Sequence, residues 1–520
     1  MIELGLFGSL LGGFLAMVLI YSVSNKSSLK TDIGIQSQHP FVSTIWQYAP
    51  RFILNLSYTA NATGILQKGY QKFKSGTFQF ARGQGNVLVL PLSLLEELAA
   101  VPPTIANPHA ALEHDLLGHY TGLDLILESR IHHSIVQRKL TPRLDLLIPA
   151  METELRHAIE RFFPPVDAAN WTEFMPYQCF GRISASLTGR ALVGPDLCRD
   201  EVWLDITFNY TENLFRTIVI LRLFPEWMQP LVCVFLPSYW NGKRYVQMAK
   251  RLLRPKIEHL LDKPITSSPL SFDPATSNVL HWLAEMAKGK DRSPDTIAHI
   301  EVLLALASVH TTLLRMVNVL YDITADGQQL LQELRDEITE ITESKDGWTD
   351  NSYDKLHKLD SVLRESQRMS PPTIVGMKRL FREDYIFSNG LLIPKGTYAC
   401  MPTYAIENDP AHTQNPDTFD GLRSYRGFKS LRDKKEAAQF LFTSTPPTAL
   451  NFGYGKSACP GRFFAGRIIK MLFVKLLTEY DFKFLPNTQR PSNLVVHEFL
   501  FCWPWQKMLV RRRQNAVSVI

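Results

Sequence analysis

What most restricts the folding of this chain is a stretch near its C-terminal end, Asn451-Phe452-Gly453-Tyr454-Gly455-Lys456-Ser457-Ala458-Cys459-Pro460-Gly461-Arg462-Phe463-Phe464. Two glycines permit a tight loop, and Pro460 suits the first turn of a helix, where its missing N–H is not needed. The residues that follow are amphipathic: Phe463, Phe464, Ile468, Leu472, Phe473 and Leu476 recur at helical spacing and make one apolar face. Cys459 therefore stands at a loop–helix junction, beside loop N–H groups and the positive end of the helix dipole. Such a setting favours thiolate, which serves as a nucleophile or as an axial ligand to iron. The other five cysteines (Cys179, Cys198, Cys233, Cys400 and Cys502) form no CxxC pair, and inert burial is the expectation for each. That pattern argues against a disulfide framework or a zinc site and fits a reducing compartment.

A second constraint lies at the opposite end. Residues 4–23, LGLFGSLLGGFLAMVLIYSV, carry no charge. At 1.5 Å per residue such a segment spans the roughly 30 Å hydrocarbon core of a bilayer. It has no basic region before it and no small-residue cleavage site after it, so it reads as a retained anchor over 1–23 rather than a signal peptide. Glu3 precedes the span while Lys26 and Lys30 follow it, which places the body on the cytosolic side. Residues 24–50 read as a tether and 51–520 as one catalytic unit, since no repeat or Gly/Ser linker divides them.

The body has ordinary globular composition, 45% hydrophobic and 20% charged, which excludes disorder, collagen and a many-span transporter. A net charge of +6, spread along the chain, suits an acidic protein partner or an anionic membrane surface; it is too weak and too diffuse for nucleic acid. The pattern is mainly helical with a small β region. Strand alternation shows at 78–92 around a glycine turn, at 384–406, and in the tail FLFCWPWQKMLVRRR, which alternates like a hairpin. Residues 212–240 are apolar and hold three prolines, and read as a second surface that dips into the bilayer. Ser293 is placed to cap a long helix begun by Pro294 and Asp295. In the middle of that helix an apolar stripe is interrupted by Ser308-Val309-His310-Thr311-Thr312.

These features converge. The pattern FxxGxxxCPG, with Phe452, Gly455, Cys459, Pro460 and Gly461 in place, resembles the haem-ligand loop of the cytochrome P450 monooxygenases. Upstream, Glu365-Ser366-Gln367-Arg368 matches that family's ExxR helix, where a spacing of three puts both charges on one face. Arg423, in PDTFDGLRSYR, falls where the family closes a buried Glu–Arg–Arg network. The cluster Ala307–Thr312 is similar to the family's segment in which an acid–alcohol pair passes protons during turnover. Here Ser308 replaces a glycine and His310 the acid, while Thr311 keeps the hydroxyl; an imidazole near its pKa suits a relay. Stretches such as GRALVGPDLCRDEVWL and PDTFDGLRSY resemble the branch that serves fungal secondary metabolism.

The resemblance implies the cytochrome P450 fold behind a transmembrane helix and haem b (iron protoporphyrin IX) held by Cys459. It implies monooxygenation of a lipophilic terpenoid or related metabolite, with electrons from NADPH through NADPH-cytochrome P450 reductase. Single-pass attachment to the endoplasmic reticulum membrane, in contact with lipid, follows from the anchor. Haem propionates would fall to Arg379, to Lys456 in place of the basic residue that Ser457 lacks, and to Arg138. Lys456, Arg462 and Arg467 would offer a basic patch to the reductase. Two other readings share the thiolate: an isomerase or ring-forming enzyme without net hydroxylation, and a non-catalytic haem-binding protein with no use for Thr311.

Overall fold

A computed structural model describes residues 39–83, 85–262 and 277–520. The expected anchor and the first part of the tether lie outside the described residues. In chain order the principal elements are α1 (Arg51–Lys72), β1 (Phe78–Arg82), β2 (Gly85–Val89), β3 (Ala106–Asn107), α2 (Pro108–Asp115), α3 (Leu144–Phe162), β4 (Thr172–Phe174), α4 (Pro176–Leu192), α5 (Glu201–Leu221), α6 (Gln229–Phe235) and α7 (Pro237–Asp262). They continue with α8 (Pro294–Asp326), α9 (Gln328–Thr342), α10 (His357–Met369), β5 (Gly376–Phe381), β6 (Tyr385–Ile386), β7 (Leu392–Ile393), β8 (Tyr398–Met401), α11 (Arg423–Ser430), α12 (Arg462–Glu479), β9 (Tyr480–Phe484), β10 (Leu494–Val496), β11 (Phe499–Phe501) and β12 (Met508–Arg512).

The helical mass is built around α8, which packs against α4, α5, α7, α10 and α12. Ile297, Ile300, Val309, Leu313, Met316 and Val317 are sealed from water along it. Each such side chain contributes about 1.5–3 kcal/mol when buried, which is why a helix so poor in charge is held inside. Its start differs in one detail from expectation. Pro294 opens it, but the Ser293 hydroxyl accepts no capping hydrogen bond, and Asp295 is drawn into an ion pair with Arg254. Gly327 ends it with φ of 106°, a backbone state that a side chain resists.

The larger sheet has the order β1-β2-β8-β5-β3, with β2 and β8 parallel and the remaining pairs antiparallel. Between Gly376 and Arg379 the β5–β8 register shifts, and Met377 takes a φ of 50°. Such a bulge re-aims neighbouring side chains: Lys378 and Arg379 leave opposite faces of the strand toward different parts of the protein. The tail does not form the expected hairpin. β11 pairs with β10, whereas β12 pairs with β4 and β9 in a separate sheet. The stretch that joins β11 to β12 is a turn between two sheets, because apolar alternation reports a half-buried strand without naming its partner.

Candidate active site

Cys459 is set by its loop. Its N–H donates to the Phe452 carbonyl (2.7 Å), closing the turn, and Phe452 packs edge-on against Phe442 with centroids 5.2 Å apart. Gly453 sits at φ +77°, and a Cβ there would lie 2.9 Å from the Ser457 carbonyl oxygen, so only glycine fits. Gly455 is likewise left-handed, at φ +58°. The thiol is accessible, but the space it faces is enclosed by protein, and loss of water pushes its pKa above the ordinary value. The N–H groups of Gly461 and Arg462 and the Arg462 charge act the other way without prevailing. The helix terminus alone therefore does not make a thiolate, contrary to the sequence expectation. A coordinated metal ion does, since it deprotonates a ligating thiol outright.

Across from the loop's helix runs α8. Ala307 and Thr311 are exposed, although Ala305, Val309, His310, Thr312 and Leu313 around them are buried. Residues four apart share a face, so an accessible stripe in the middle of a helix packed against α4, α5, α7, α10 and α12 marks an internal void. The Thr311 hydroxyl donates to the Ala307 carbonyl (2.7 Å) at the edge of that void. His310 turns away from the stripe. Its ring lies 5.4 Å from that of Phe208, its Nε2 is 3.4 Å from the Tyr177 hydroxyl, and its Nδ1 has no partner among the described residues. Burial lowers its pKa to about 3, so the imidazole is neutral at physiological pH and does not titrate where a near-neutral relay would.

Arg379 is buried, yet no carboxylate meets it among the described residues. It donates to the Lys378 carbonyl (2.9 Å) and to the Ser457 hydroxyl (3.1 Å), and burial lowers its pKa to about 10. Near it gather His109, Arg130, His132 and His133. Burial first, then the charges of Arg130, His132, His133 and Arg379, depress His109 to about 4. Burial with His133 and Arg130 does the same to His132. The sequence reading missed these histidines, although the His132-His133 doublet beside Arg138 was a usable signal. Arg138 itself is exposed, and so is Lys456.

Glu365, Arg368 and Arg423 come together. Arg368 forks Glu365 through Nε (3.0 Å) and Nη2 (2.6 Å), and Arg423 Nε lies 3.2 Å from both carboxylate oxygens. The Asp420 N–H adds a further bond to Glu365 (3.1 Å). Arg368 also donates to the carbonyls of Pro416 (2.7 Å) and Thr418 (3.3 Å) and to Asn408, which ties the loop before α11 to α10. Arg467 does not join a surface patch. It is buried and paired with Asp145 (3.1 Å) and Asp354 (3.0 Å). Arg462 is partly exposed but donates to the Thr443 and Cys459 carbonyls.

An accessible thiol, an accessible stripe along α8 and a buried Arg379 that meets no carboxylate among the described residues, with Arg130 and neutral His109 and His132 near it, make a donor set that fits an iron porphyrin with two carboxylate arms. The fold and the site thus define a haem-thiolate protein. The family model for Cytochrome P450 matches residues 123–506, and the chain belongs to that family. It is 36% identical over 477 residues to "Cytochrome P450 monooxygenase AN1598" of Emericella nidulans, covering 92% of this chain and 88% of that protein. It is 33% identical over 500 residues to "Cytochrome P450 monooxygenase paxP" of Penicillium paxilli (95% and 94% covered). To the "Ent-kaurene oxidase" of Gibberella intermedia it is 30% identical over 502 residues (96% and 92% covered). Among solved structures, retinoic acid-bound cyanobacterial CYP120A1 superposes with a TM-score of 0.64 at 18% identity, covering 91% of this chain and 99% of that one, which shows the fold. The protein is a monooxygenase, an oxidoreductase with haem as its cofactor; enzymes of this kind draw electrons from a redox partner and act on lipophilic substrates.

Proposed function

We propose that the protein is a membrane-attached monooxygenase of secondary metabolism that oxidises a lipophilic terpenoid or a related compound. The observation that carries this reading is the accessible Ala307–Thr311 stripe in the middle of a helix packed on several sides, with apolar Leu303 one turn earlier on the same face. When bound, haem supplies activation of dioxygen with electrons delivered from NADPH, one oxygen atom entering the product and the other leaving as water. The chain's residues do the rest. Cys459 would hold the iron, whose charge would keep the sulfur ionised, with the Gly461 and Arg462 N–H groups as a lesser aid. Arg379, with His109, His132 and Arg130, holds the propionates; Arg138 and Lys456 remain further candidates for that role. Thr311 holds a proton donor at the void's edge. His310, neutral and enclosed by Tyr177 and Phe208, sets the packing of α8 and stands next to any proton route rather than titrating in it. Glu365, Arg368 and Arg423 fix the loop before α11.

The expected anchor over 1–23 would attach the body to the endoplasmic reticulum membrane from the cytosolic side, where NADPH-cytochrome P450 reductase supplies electrons. Lys456 and Arg462 would face that partner. A second lipid contact is supported by the exposed apolar side chains of 227–240, among them Leu231 (59% exposed), Phe235 (78%) and Trp240 (52%). Trp46 (69% exposed) and Tyr48 (72%) also face water just before α1, whose Asn55 donates to the Arg222 carbonyl (2.8 Å) at the end of α5. Aromatic and aliphatic side chains left in water at these two sites suit the lipid interface.

The test is a Cys459→Ser variant. The reduced carbon monoxide complex of the parent should show the band characteristic of thiolate ligation, and the variant should lack it. A parent without the band would sink the reading. Incubation with labelled dioxygen then separates oxygen insertion from isomerisation, since only insertion leaves label in the product.

A further inference from the structure

A second group of buried charges lies apart from the cysteine loop. Arg82 of β1, Arg222 after α5 and Lys378 of β5 meet Asp115 of α2 and Glu498, which occupies the tight turn between β10 and β11. The ion pairs are Arg82–Asp115 (2.8 Å), Arg82–Glu498 (3.7 Å), Arg222–Glu498 (2.8 Å), Lys378–Asp115 (2.7 Å) and Lys378–Glu498 (3.9 Å). Tyr58 donates to Glu498 (2.9 Å) and Tyr398 to Asp115 (2.7 Å). Three cations thus face two carboxylates, and a buried charge without a counter-ion is costly unless something neutralises it.

One member of the cluster reaches accessible space. The side chains of Arg82, Arg222, Asp115 and Glu498 are at most 4% exposed, whereas that of Lys378 is 15% exposed. Arg222 spends both terminal nitrogens on Glu498 (3.1 and 2.8 Å). An ammonium has three N–H donors, and among the described residues that of Lys378 makes one hydrogen bond, to Asp115 (2.7 Å). Its nitrogen stands 5.9 Å from the centre of the Phe499 ring. Phe499 belongs to an apolar cluster with Leu123, Ile206, Leu214 and Leu303. Leu303 in turn shares a helix face with Ala307 and Thr311. A line therefore runs from an under-used ammonium, over an aromatic and aliphatic floor, to the accessible stripe of α8.

We infer that Lys378 determines substrate specificity by anchoring an anionic oxygen, a carboxylate above all, of a ligand whose hydrocarbon lies along Phe499 and Leu303 toward Thr311. This rests on the proposed function, in which the void beside α8 receives the substrate. The ligand supplies the missing negative charge, and its carboxylate takes the two free N–H donors of Lys378. A neutral alcohol of the same length fills the same floor but leaves the surplus charge unpaired.

The test uses the haem-loaded full chain, with laurate and lauryl alcohol as probes. Binding is read by isothermal titration calorimetry, and the reduced carbon monoxide spectrum is recorded on the same samples. The parent should bind laurate at least about tenfold more tightly than the alcohol, as a charge-assisted hydrogen bond confers. Lys378→Met, which leaves two cations against two carboxylates, should bring the ratio near one while keeping the alcohol's affinity; Lys378→Arg should preserve the preference. An unchanged ratio in Lys378→Met overturns the inference. Equal affinities in the parent overturn it without recourse to any variant, so a variant that fails to fold does not rescue it. A parent without the thiolate-type band would instead sink the proposed function, and the ligand ratio is read independently of that band.

Discussion

Removing the Arg368 side chain should cost the protein more than any single loss on its surface. Glu365 is 2% exposed and receives two bonds from Arg368, bonds from Arg423 and one from the Asp420 N–H. Breaking a buried ion pair by deleting one partner destabilises by about 3–5 kcal/mol, because the remaining charge is left in a poor dielectric. Here Arg423 still reaches Glu365, so the loss belongs at the lower end, about 3 kcal/mol, against a total of about 5–15 kcal/mol for a typical protein. Loss of Arg368 also frees the carbonyls of Pro416 and Thr418, and that loop should loosen. Lysine at this position keeps the charge but loses the fork, which should cost about 1–3 kcal/mol. The assay is urea unfolding followed by tryptophan fluorescence, with haem absorbance on the same samples. Arg368→Ala should show an earlier midpoint and lower haem content, Arg368→Lys an intermediate one. The reasoning is refuted by an Arg368→Ala protein with the parent's midpoint and haem content, for then the pair would be solvated rather than enclosed.

Thr311→Ala should lower product formed per NADPH consumed and raise peroxide, since the hydroxyl at the edge of the void is lost; unchanged coupling would remove Thr311 from the proton route. His310→Asp should melt earlier than the parent without improving coupling, because an acid beside Phe208 and Tyr177 is buried with one weak partner. Stability should fall as pH drops below about 6.5, the ordinary histidine value: burial lowers His310 to about 3 and His109, His132, His299 and His497 to about 4, so the unfolded chain binds these protons first. This outweighs the opposite action of Glu301, Glu337 and Glu407, all raised by burial. Below about 4.5 the fall should steepen toward pH 2, where Glu498, held down to about 2 by Arg222 and Lys378 against its burial, loses its charge; a flat midpoint between pH 7 and 5 in urea titrations would contradict this. Leu231→Asp with Phe235→Asp should weaken binding to liposomes of neutral and anionic lipid without changing the haem spectrum, and equal sedimentation with vesicles would refute the lipid contact.

What could be read from the sequence was chemistry set within a few residues. The Phe452–Gly461 loop carries its own instructions, because the left-handed glycines and the Phe452–Cys459 bond lie within one turn. Glu365 and Arg368 share a helix face by spacing alone. The errors came where a partner lies far along the chain. Arg467 looked like surface charge because its carboxylate partners, Asp145 and Asp354, are more than a hundred positions away. The tail looked like a hairpin because alternation cannot reveal that β12 pairs with β4 and β9. His310 looked ready to titrate because nothing local announces Phe208 and Tyr177, which come from α5 and α4.

The two buried charge clusters show why distance matters for function as well as for reading. In the Glu365 cluster two arginines converge on one carboxylate, but carbonyls of the loop before α11 take up the spare donors, so its role is closed and mechanical. In the second cluster the members come from five separate regions, and Arg222 and Glu498 are 276 positions apart. No carbonyl takes up the spare donors of Lys378 among the described residues, and the bulge at Met377 turns that side chain toward Asp115 and Phe499. If folding alone had shaped the cluster, a neutral residue at 378 would leave it balanced at two against two. A third cation raises the cost of the folded state, and a cost of that kind persists where a negatively charged or strongly accepting ligand offsets it.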